Sequence, residues 1–258
     1  MNIYDSTEKI NESFSPDFIP EEQLQTQWSE LLQIKKAIYK FHQQKKKKIA
    51  ILDIGVGTGR IIKHLSGIKE IWNCIDSYTG IDNNDNCLAL AKENINKWNL
   101  ADKVSLIRLE AKDILSLGKK YDIIMTTWFT PGNFYPANFN FASYNPVANR
   151  LSLKTNPAFT MVWSHAAQLL NKNGMAILGS CYKQNDATRV KQETFYKQMG
   201  MTVITDDKDL FTATREGFWS QRLTLNQIKK YLNNAGFTKI KKIKLDNYSF
   251  AFQVQLLT

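Results

Sequence analysis

Cysteine and histidine are scarce in this chain, three of each in 258 residues. Cys74, Cys87 and Cys181 are odd in number, far apart and without a CxxC pair, which argues against a disulfide framework or a cysteine zinc site and leaves three small hydrophobes. His42, His64 and His165 show no metal-ligand spacing, so no metal cofactor is expected. Apolar runs approaching the roughly 20 residues of a membrane span are also missing. The opening MNIYDSTEKINESF has no basic stretch followed by an apolar one, so the expectation is a cytoplasmic protein with no membrane partner. Proline and glycine number 6 and 12 and form no seam, and neither a repeat nor a low-complexity linker divides the chain.

What is present describes an ordered protein: 43% hydrophobic and 12% aromatic residues, in a length suited to one large α/β domain rather than two. The net charge of +10 is concentrated in KKKK at 45–48 and TKIKKIKL at 238–245. Such clusters attract nucleic acid or other anions, or simply keep a surface solvated. Neither is interleaved with aromatics that would stack on bases, which favours the solvated surface.

In EEQLQTQWSELLQIKKAIYKF the apolar positions Trp28, Leu31, Ile34, Ile38 and Phe41 recur at helical spacing. That pattern places an amphipathic helix ahead of the first strand, read as a helical lid over 1–47. From KIAILDIG onward strands and helices alternate. Strands are expected at about 49–54, 78–81, 104–108, 121–126 and 174–182, and helices at about 59–66, 85–98, 157–170 and 223–235. Two further alternating stretches, TKIKKIKL and YSFAFQVQLL, close the chain. The reading is a Rossmann-like, mostly parallel sheet with helices on both faces over 48–258.

The first strand runs into LDIGVGTGR, with Gly55, Gly57 and Gly59 at alternate positions behind Asp53. A turn of this kind brings backbone N–H groups and a helix start close to a ligand with no Cβ in the way. The third glycine of a dinucleotide fingerprint would fall at position 60, which is Arg60, so a nicotinamide dinucleotide is disfavoured. Asp82, in YTGIDNN, falls where the second strand should end and can accept from both ribose hydroxyls. Asp113, in AKDIL after the third strand, can accept from an adenine amine while the Ile114 amide donates to the ring. Each acid taken alone fits a surface or helix-capping role equally well.

Together LDIGVGTG, GIDNN, AKDIL and YDIIMTTW resemble the class I S-adenosylmethionine-dependent methyltransferases, small-molecule type. The resemblance covers roughly residues 48–258 and includes LLNKNGMAILG and LNNAGF. It implies S-adenosyl-L-methionine as cofactor and a seven-stranded sheet with its last strand antiparallel. The cofactor contacts it implies are Asp53, Gly55, Gly57, Gly59, Asp82, Asn83, Asp113, Ile114 and Thr127. Tyr4 in the YDS segment joins them by similarity to small-molecule methyltransferases.

A sulfonium methyl is already activated, so the protein must chiefly align a nucleophile and exclude water. An amine then needs no dedicated general base, whereas a hydroxyl usually does. The expected reaction is N-methylation of a small polar amine or amino acid, with no residue assigned as a base. Substrate determinants are expected in insertions at about 128–156 and 183–222. In TTWFTPGNFYPANFNFASYN, Asn133, Phe134, Tyr135 and Tyr144 fit a cage for such an amine, or else rings packed under the lid. Gly132, Asn133 and Phe134 are faintly similar to the Gly-Asn-Phe segment of the histidine-betaine methyltransferases. In TREGFWSQRLT, Glu216 fits a partner for a cationic substrate and Trp219 a cover for it, unless the segment is a surface turn with Ser220 or Thr224 capping the next helix.

Three other readings stay open. An RNA methyltransferase suits the charge, but the Asn/Asp-Pro-Pro-aromatic tetrad of amine-directed nucleic-acid enzymes is replaced here by TWFT. An O-methyltransferase of a small hydroxylated metabolite is the second. The third is a non-catalytic binding protein on the same fold. An aminopropyl transferase would carry an acid where Thr126 and Thr127 stand.

Overall fold

The structure, a computed structural model, describes residues 4–13, 19, 21–245 and 249–256. Two helices, α1 (Thr7–Ser13) and α2 (Glu21–Lys45), precede the sheet. There follow β1 (Ile49–Ile54), α3 (Arg60–Ser66), the single turn α4 (Lys69–Trp72), β2 (Ile75–Asp82), α5 (Asp85–Lys97), β3 (Val104–Arg108) and β4 (Tyr121–Thr126). The second half holds α6 (Pro157–Leu169), β5 (Leu170–Lys183), α7 (Asp186–Gln198), β6 (Phe211–Ala213), β7 (Trp219–Leu223), α8 (Leu225–Asn234), β8 (Phe237–Lys244) and β9 (Ser249–Leu256). Of the expected closing segment, Tyr248 and Leu257 lie outside the described residues, as do 1–3, 14–18 and 20 of the expected lid.

Strands β3, β2, β1, β4 and β5 lie side by side in parallel. Strand β9 adds antiparallel to β5, and β8 pairs antiparallel with β9, which completes a seven-stranded path in the order 3-2-1-4-5-9-8. A fork at the end of β5 departs from the expected sheet. There Tyr182 and Lys183 pair with β7, which forms an antiparallel ribbon with β6.

Period-two alternation divides the strand side chains between two cores. Leu52, Ile54, Ile124, Ala176 and Leu178 face α6 and α8, where Trp163 and Tyr231 are fully buried. Ile49, Ile51, Ile123, Met125 and Ile177 face the other way, against α3 and α2. Every residue of β4 is buried, as a central strand covered on both faces requires.

The N-terminal helix departs from the expectation. Leu31, Ile34, Ala37, Ile38 and Phe41 of α2 pack into the second core, so this helix is a layer of the domain itself. Trp28 does not join that stripe. It is 60% exposed and meets His64 edge-on, and the buried face is extended instead by Thr26 and Glu30. Among the described residues no helix is long and apolar enough to cross a membrane.

Side-chain caps set several helix starts: Asn84 accepts from Cys87 N, Asn156 from Phe159 N and Asn185 from Thr188 N. Thr224 forms a capping box with Gln227 at α8, which decides the cap in favour of Thr224 over Ser220. The insertion between β5 and α8 is fastened by a fully buried Arg222. Its guanidinium donates to Gln192 Oε1 of α7 (2.9 Å), Thr212 Oγ1 (2.6 Å) and the Phe211 carbonyl (3.2 Å) of β6, and to the Asp209 carbonyl. Burial lowers its pKa to about 10.

Candidate functional site

Functional groups collect where β1, β2, β4 and β5 end, the edge at which open α/β sheets bind ligands. After β1 the chain turns through Gly55, Gly57 and Gly59, all with positive φ. Two of them have separate reasons to lack a side chain. A Cβ on Gly55 would come within 2.8 Å of Thr130 Cγ2, so its bareness lets the segment after β4 pack onto the turn. A Cβ on Gly57 would meet nothing within 4 Å, so no neighbour in the protein demands its bareness, and φ +55 leaves the backbone open on that side.

The acids flanking the turn differ in their surroundings. Asp82, half-buried at the end of β2, accepts from Gly57 N (2.9 Å) through Oδ2 and from Asn84 N (3.0 Å) through Oδ1. It thereby ties the glycine turn to the start of α5, and burial raises its carboxyl against the lowering effect of those amides. Asp53 is buried, its Oδ2 accepting from Tyr78 Oη at 2.6 Å, while Oδ1 has no hydrogen-bond partner among the described residues. Burial pushes its carboxyl up to about 7, partly offset by Tyr78 and Arg60.

The other expected cofactor residues surround this turn. The Tyr4 carbonyl accepts from Asn86 Nδ2 (2.9 Å) and Asn84 Nδ2 (3.4 Å), and burial beside Cys87 and Asp82 raises its phenol. Exposed Asn83 donates to Glu110 Oε1 at 3.3 Å. Asp113 is exposed on a short 3-10 turn, Ala111–Leu117, that buries Ile114 in the first core. Thr127 is buried just past β4, its carbonyl accepting from Thr130 N.

Beyond β4 the chain is strained. Trp128 and Phe129 are consecutive bulky residues with φ +48 and +60, a left-handed conformation that costs on the order of 1–3 kcal/mol per residue. Glu30 of α2, 1% exposed, holds them: its Oε1 accepts from Trp128 N (2.9 Å), Ser180 N (2.7 Å) and Ser180 Oγ (3.0 Å). Its Oε2 pairs with Arg60 Nη2 at 3.1 Å, and the Arg60 guanidinium lies 5.4 Å from the centre of the Trp128 ring. The strain turns Phe129 flat against Tyr182 of β5, with centroids 3.7 Å apart and planes 4° apart.

These two rings help line a cleft of about 460 Å³, its open mouth included. Tyr4, Trp128 and Phe218 add further rings, α7 contributes Phe195 and Tyr196 with Met199 just past its end, and the polar lining comes from Gln23, Asn133 and Ser220. Asn133 Oδ1 is buried and has no hydrogen-bond partner among the described residues. Burial raises the Tyr196 phenol, so it stays protonated.

Of the substrate residues expected from sequence, Asn133 lines this cleft and the rest are placed elsewhere. Phe134 packs edge-on to Phe159 at 6.3 Å. Tyr135 is exposed beside Phe141 and Trp219. Tyr144 donates to Asp209 Oδ1 at 2.6 Å inside an aromatic core, and Trp219 stacks on Phe211 there at 3.8 Å. Glu216 uses both carboxylate oxygens to accept from Thr202 N (3.1 and 3.0 Å), as a turn-fixing residue does. The rings that line this cleft are therefore a different set from those expected. Helical spacing of Phe195, Tyr196 and Met199 is a signal that would have pointed to α7, whereas Glu30, Arg60 and Tyr182 carry no local signal.

Orphaned Asp53 Oδ1, the open side of Gly57 and the acid at the end of β2 suit a ligand with a ribose and a cationic amino group, which S-adenosylmethionine has. A family model described as "Methyltransferase domain" matches residues 45–236. The release factor glutamine methyltransferase of Buchnera aphidicola is 34% identical over 82 residues, 32% of this chain and 27% of the relative, so the chain matches about a quarter of that protein's length. Among solved structures, the CcbJ methyltransferase of Streptomyces caelestis superposes with a TM-score of 0.63 at 10% identity, covering 100% of this chain and 99% of the other. An S-adenosylmethionine-dependent methyltransferase of Clostridium acetobutylicum gives 0.57 at 14% identity, with 99% of both chains covered. These likenesses concern the fold.

Proposed function

The chain belongs to this methyltransferase-domain family, and from that premise we propose that it transfers a methyl group from S-adenosylmethionine to an amine nitrogen of a small, ring-bearing molecule. When bound, the cofactor supplies a sulfonium methyl already activated for displacement. What remains for the protein is to hold, orient and exclude water. Asp82 is assigned to the ribose hydroxyls, Asp53 to the amino group, and the Gly57 backbone to close approach. Asp113 and Ile114 are proposed as the adenine-side surroundings, Asn83 as a neighbour of Asp82 at the ribose, Thr127 as a contact on the other side of β1, and Tyr4 as a cover over the ribose end.

The observation that carries the substrate reading is the orphaned Asn133 Oδ1 in a cleft walled by rings. A buried acceptor without a donor is costly, about 1–3 kcal/mol, and a substrate N–H relieves that cost. Flat rings favour a planar or apolar body between them. Tyr4 and Tyr196, both raised by burial, act as donors rather than bases near neutral pH. An amine attacks in its neutral form and releases its proton afterwards, so it suits a wall of this kind better than a hydroxyl. Of the amine or amino acid expected from the sequence, this reading keeps the amine, and it does not use Glu216 as the partner of a cationic substrate.

The test is a methyl-transfer screen across ring-bearing amines, phenols, free amino acids and bulk RNA. Turnover on ring-bearing amines, reduced at least about tenfold by Asn133→Leu, supports the reading. Turnover on phenols alone would make it an O-methyltransferase. Turnover on RNA alone, with a steep salt dependence, would assign the exposed lysines of β8 to phosphates instead of to protecting a sheet edge.

A further inference from the structure

Arg60 stands immediately after the last glycine of the turn and is held on two sides. Its Nη2 is paired with Glu30 Oε2 at 3.1 Å and its Cζ lies 5.4 Å from the centre of the Trp128 ring, yet its Nη1 is buried with no hydrogen-bond partner among the described residues. Asp53 Oδ1, on β1 just before the turn, is a second buried orphan, an acceptor where Arg60 Nη1 is a donor. Burial of two such groups is unfavourable unless a ligand completes both. An α-amino acid end, with its ammonium and its carboxylate on one carbon, presents the complementary pair.

We infer that Arg60 takes the carboxylate of the cofactor's amino-acid end, and that Glu30, supplied by the N-terminal helix, is the positioning residue that aims it. The inference rests on S-adenosylmethionine being the cofactor. Glu30 suits the task because its Oε1 is already filled by three donors from the ends of β4 and β5, which leaves Oε2 to fix one arm of the guanidinium and free the other. Gly179 of β5 supports the arrangement, since a Cβ there would overlap Glu30 Oε1 and come within 2.6 Å of the Thr126 carbonyl. The same carboxylate thus holds the strained Trp128–Phe129 pair and orients Arg60, joining the cofactor end of the site to its substrate wall.

Calorimetry with two ligands tests this: S-adenosylhomocysteine, which carries the amino-acid end, and 5′-methylthioadenosine, which lacks it. Arg60→Met should weaken the first by about 10- to 100-fold, as expected for losing a charge-assisted hydrogen bond, and leave the second within about twofold. Arg60→Lys, which keeps the charge but not the fork, should fall in between. Glu30→Gln should weaken S-adenosylhomocysteine alone, and add nothing once Arg60 is Met. Equal weakening of both ligands by Arg60→Met, or none, would overturn the inference. Should that variant bind neither ligand, the wild type decides: similar affinity for S-adenosylhomocysteine and its decarboxylated analogue would overturn it, and a clear preference for the former supports it. A folded wild type that binds neither ligand would remove the cofactor reading itself, and this inference with it.

Discussion

The two ends of the site are made in different ways. At the proposed cofactor end, consecutive residues at the tips of adjacent strands form the lining: LDIGVGTG after β1 and IDNN at the end of β2, linked by the Gly57 amide donating to Asp82. At the proposed substrate end, side chains arrive singly from α2, the segment after β4, the end of β5, α7 and the β6–β7 ribbon. Backbone amides at a strand tip are fixed by the fold, so the first end tolerates change around it as long as its glycines and acids remain. The second depends on the packing of rings whose neighbours are far away in sequence. Substitutions should therefore separate the two ends cleanly.

Asp82→Ala should have the largest effect. It deletes the proposed ribose acceptor and releases the Gly57 and Asn84 amides, so S-adenosylhomocysteine affinity should fall about 100-fold while circular dichroism still reports a folded chain. Unchanged affinity would take Asp82 out of the site.

Asp53→Asn should come next, with opposite effects on stability and binding. The carboxyl of Asp53 titrates near 7, above its ordinary value, so the folded state holds a proton that the unfolded chain has released. The associated stability is complete below the ordinary carboxyl range, near pH 4, and is lost as pH rises through about 7. The ligand-free Asn variant should then melt about 5 °C above wild type at pH 8 and show a flatter pH dependence between 4 and 8. Its S-adenosylhomocysteine affinity should be lower by about tenfold, since no anion remains for the ammonium. Wild type should release a proton on binding at pH 6, read from calorimetry in buffers of different ionisation enthalpy.

Phe195→Ala, on the wall supplied by α7, should raise the substrate KM by about fivefold and leave cofactor affinity within a factor of about two. A matching loss in both would mean that the two ends are coupled through this wall. Glu216→Gln should do least, with KM and kcat changed by less than about twofold, because the amide still accepts from Thr202 N. A larger rise in KM would return Glu216 to the substrate side.

Much of the frame was legible because it is local. The alternation of IAILDI and YDIIMT with helical stretches predicts β1 and β4 to the residue. The β6–β7 ribbon and α7 are less legible, since FTATREGFWSQRL carries a short, mixed pattern and the helical spacing in TFYKQMG is brief, and the burial of both depends on Arg222 and on the aromatic core around Phe211. Trp28 fits the helical stripe yet is exposed, because the face of α2 is set by the sheet beneath it, which accepts Glu30 in its place.

By itself the sequence determined the layered α/β order, the glycine turn and the acids at the ends of β1 and β2, because each is specified by residues within a few positions of one another. Only the tertiary structure decided that a glutamate 30 residues upstream of Arg60 lies against it, that Trp128 and Phe129 are held in left-handed backbone, and that Tyr144 and Trp219 lie in an aromatic core and Glu216 against Thr202 N while α7 walls the cleft. The physical reason is that a buried charge or a flat ring takes its meaning from what surrounds it, and those surroundings are assembled from segments up to 150 residues apart along the chain.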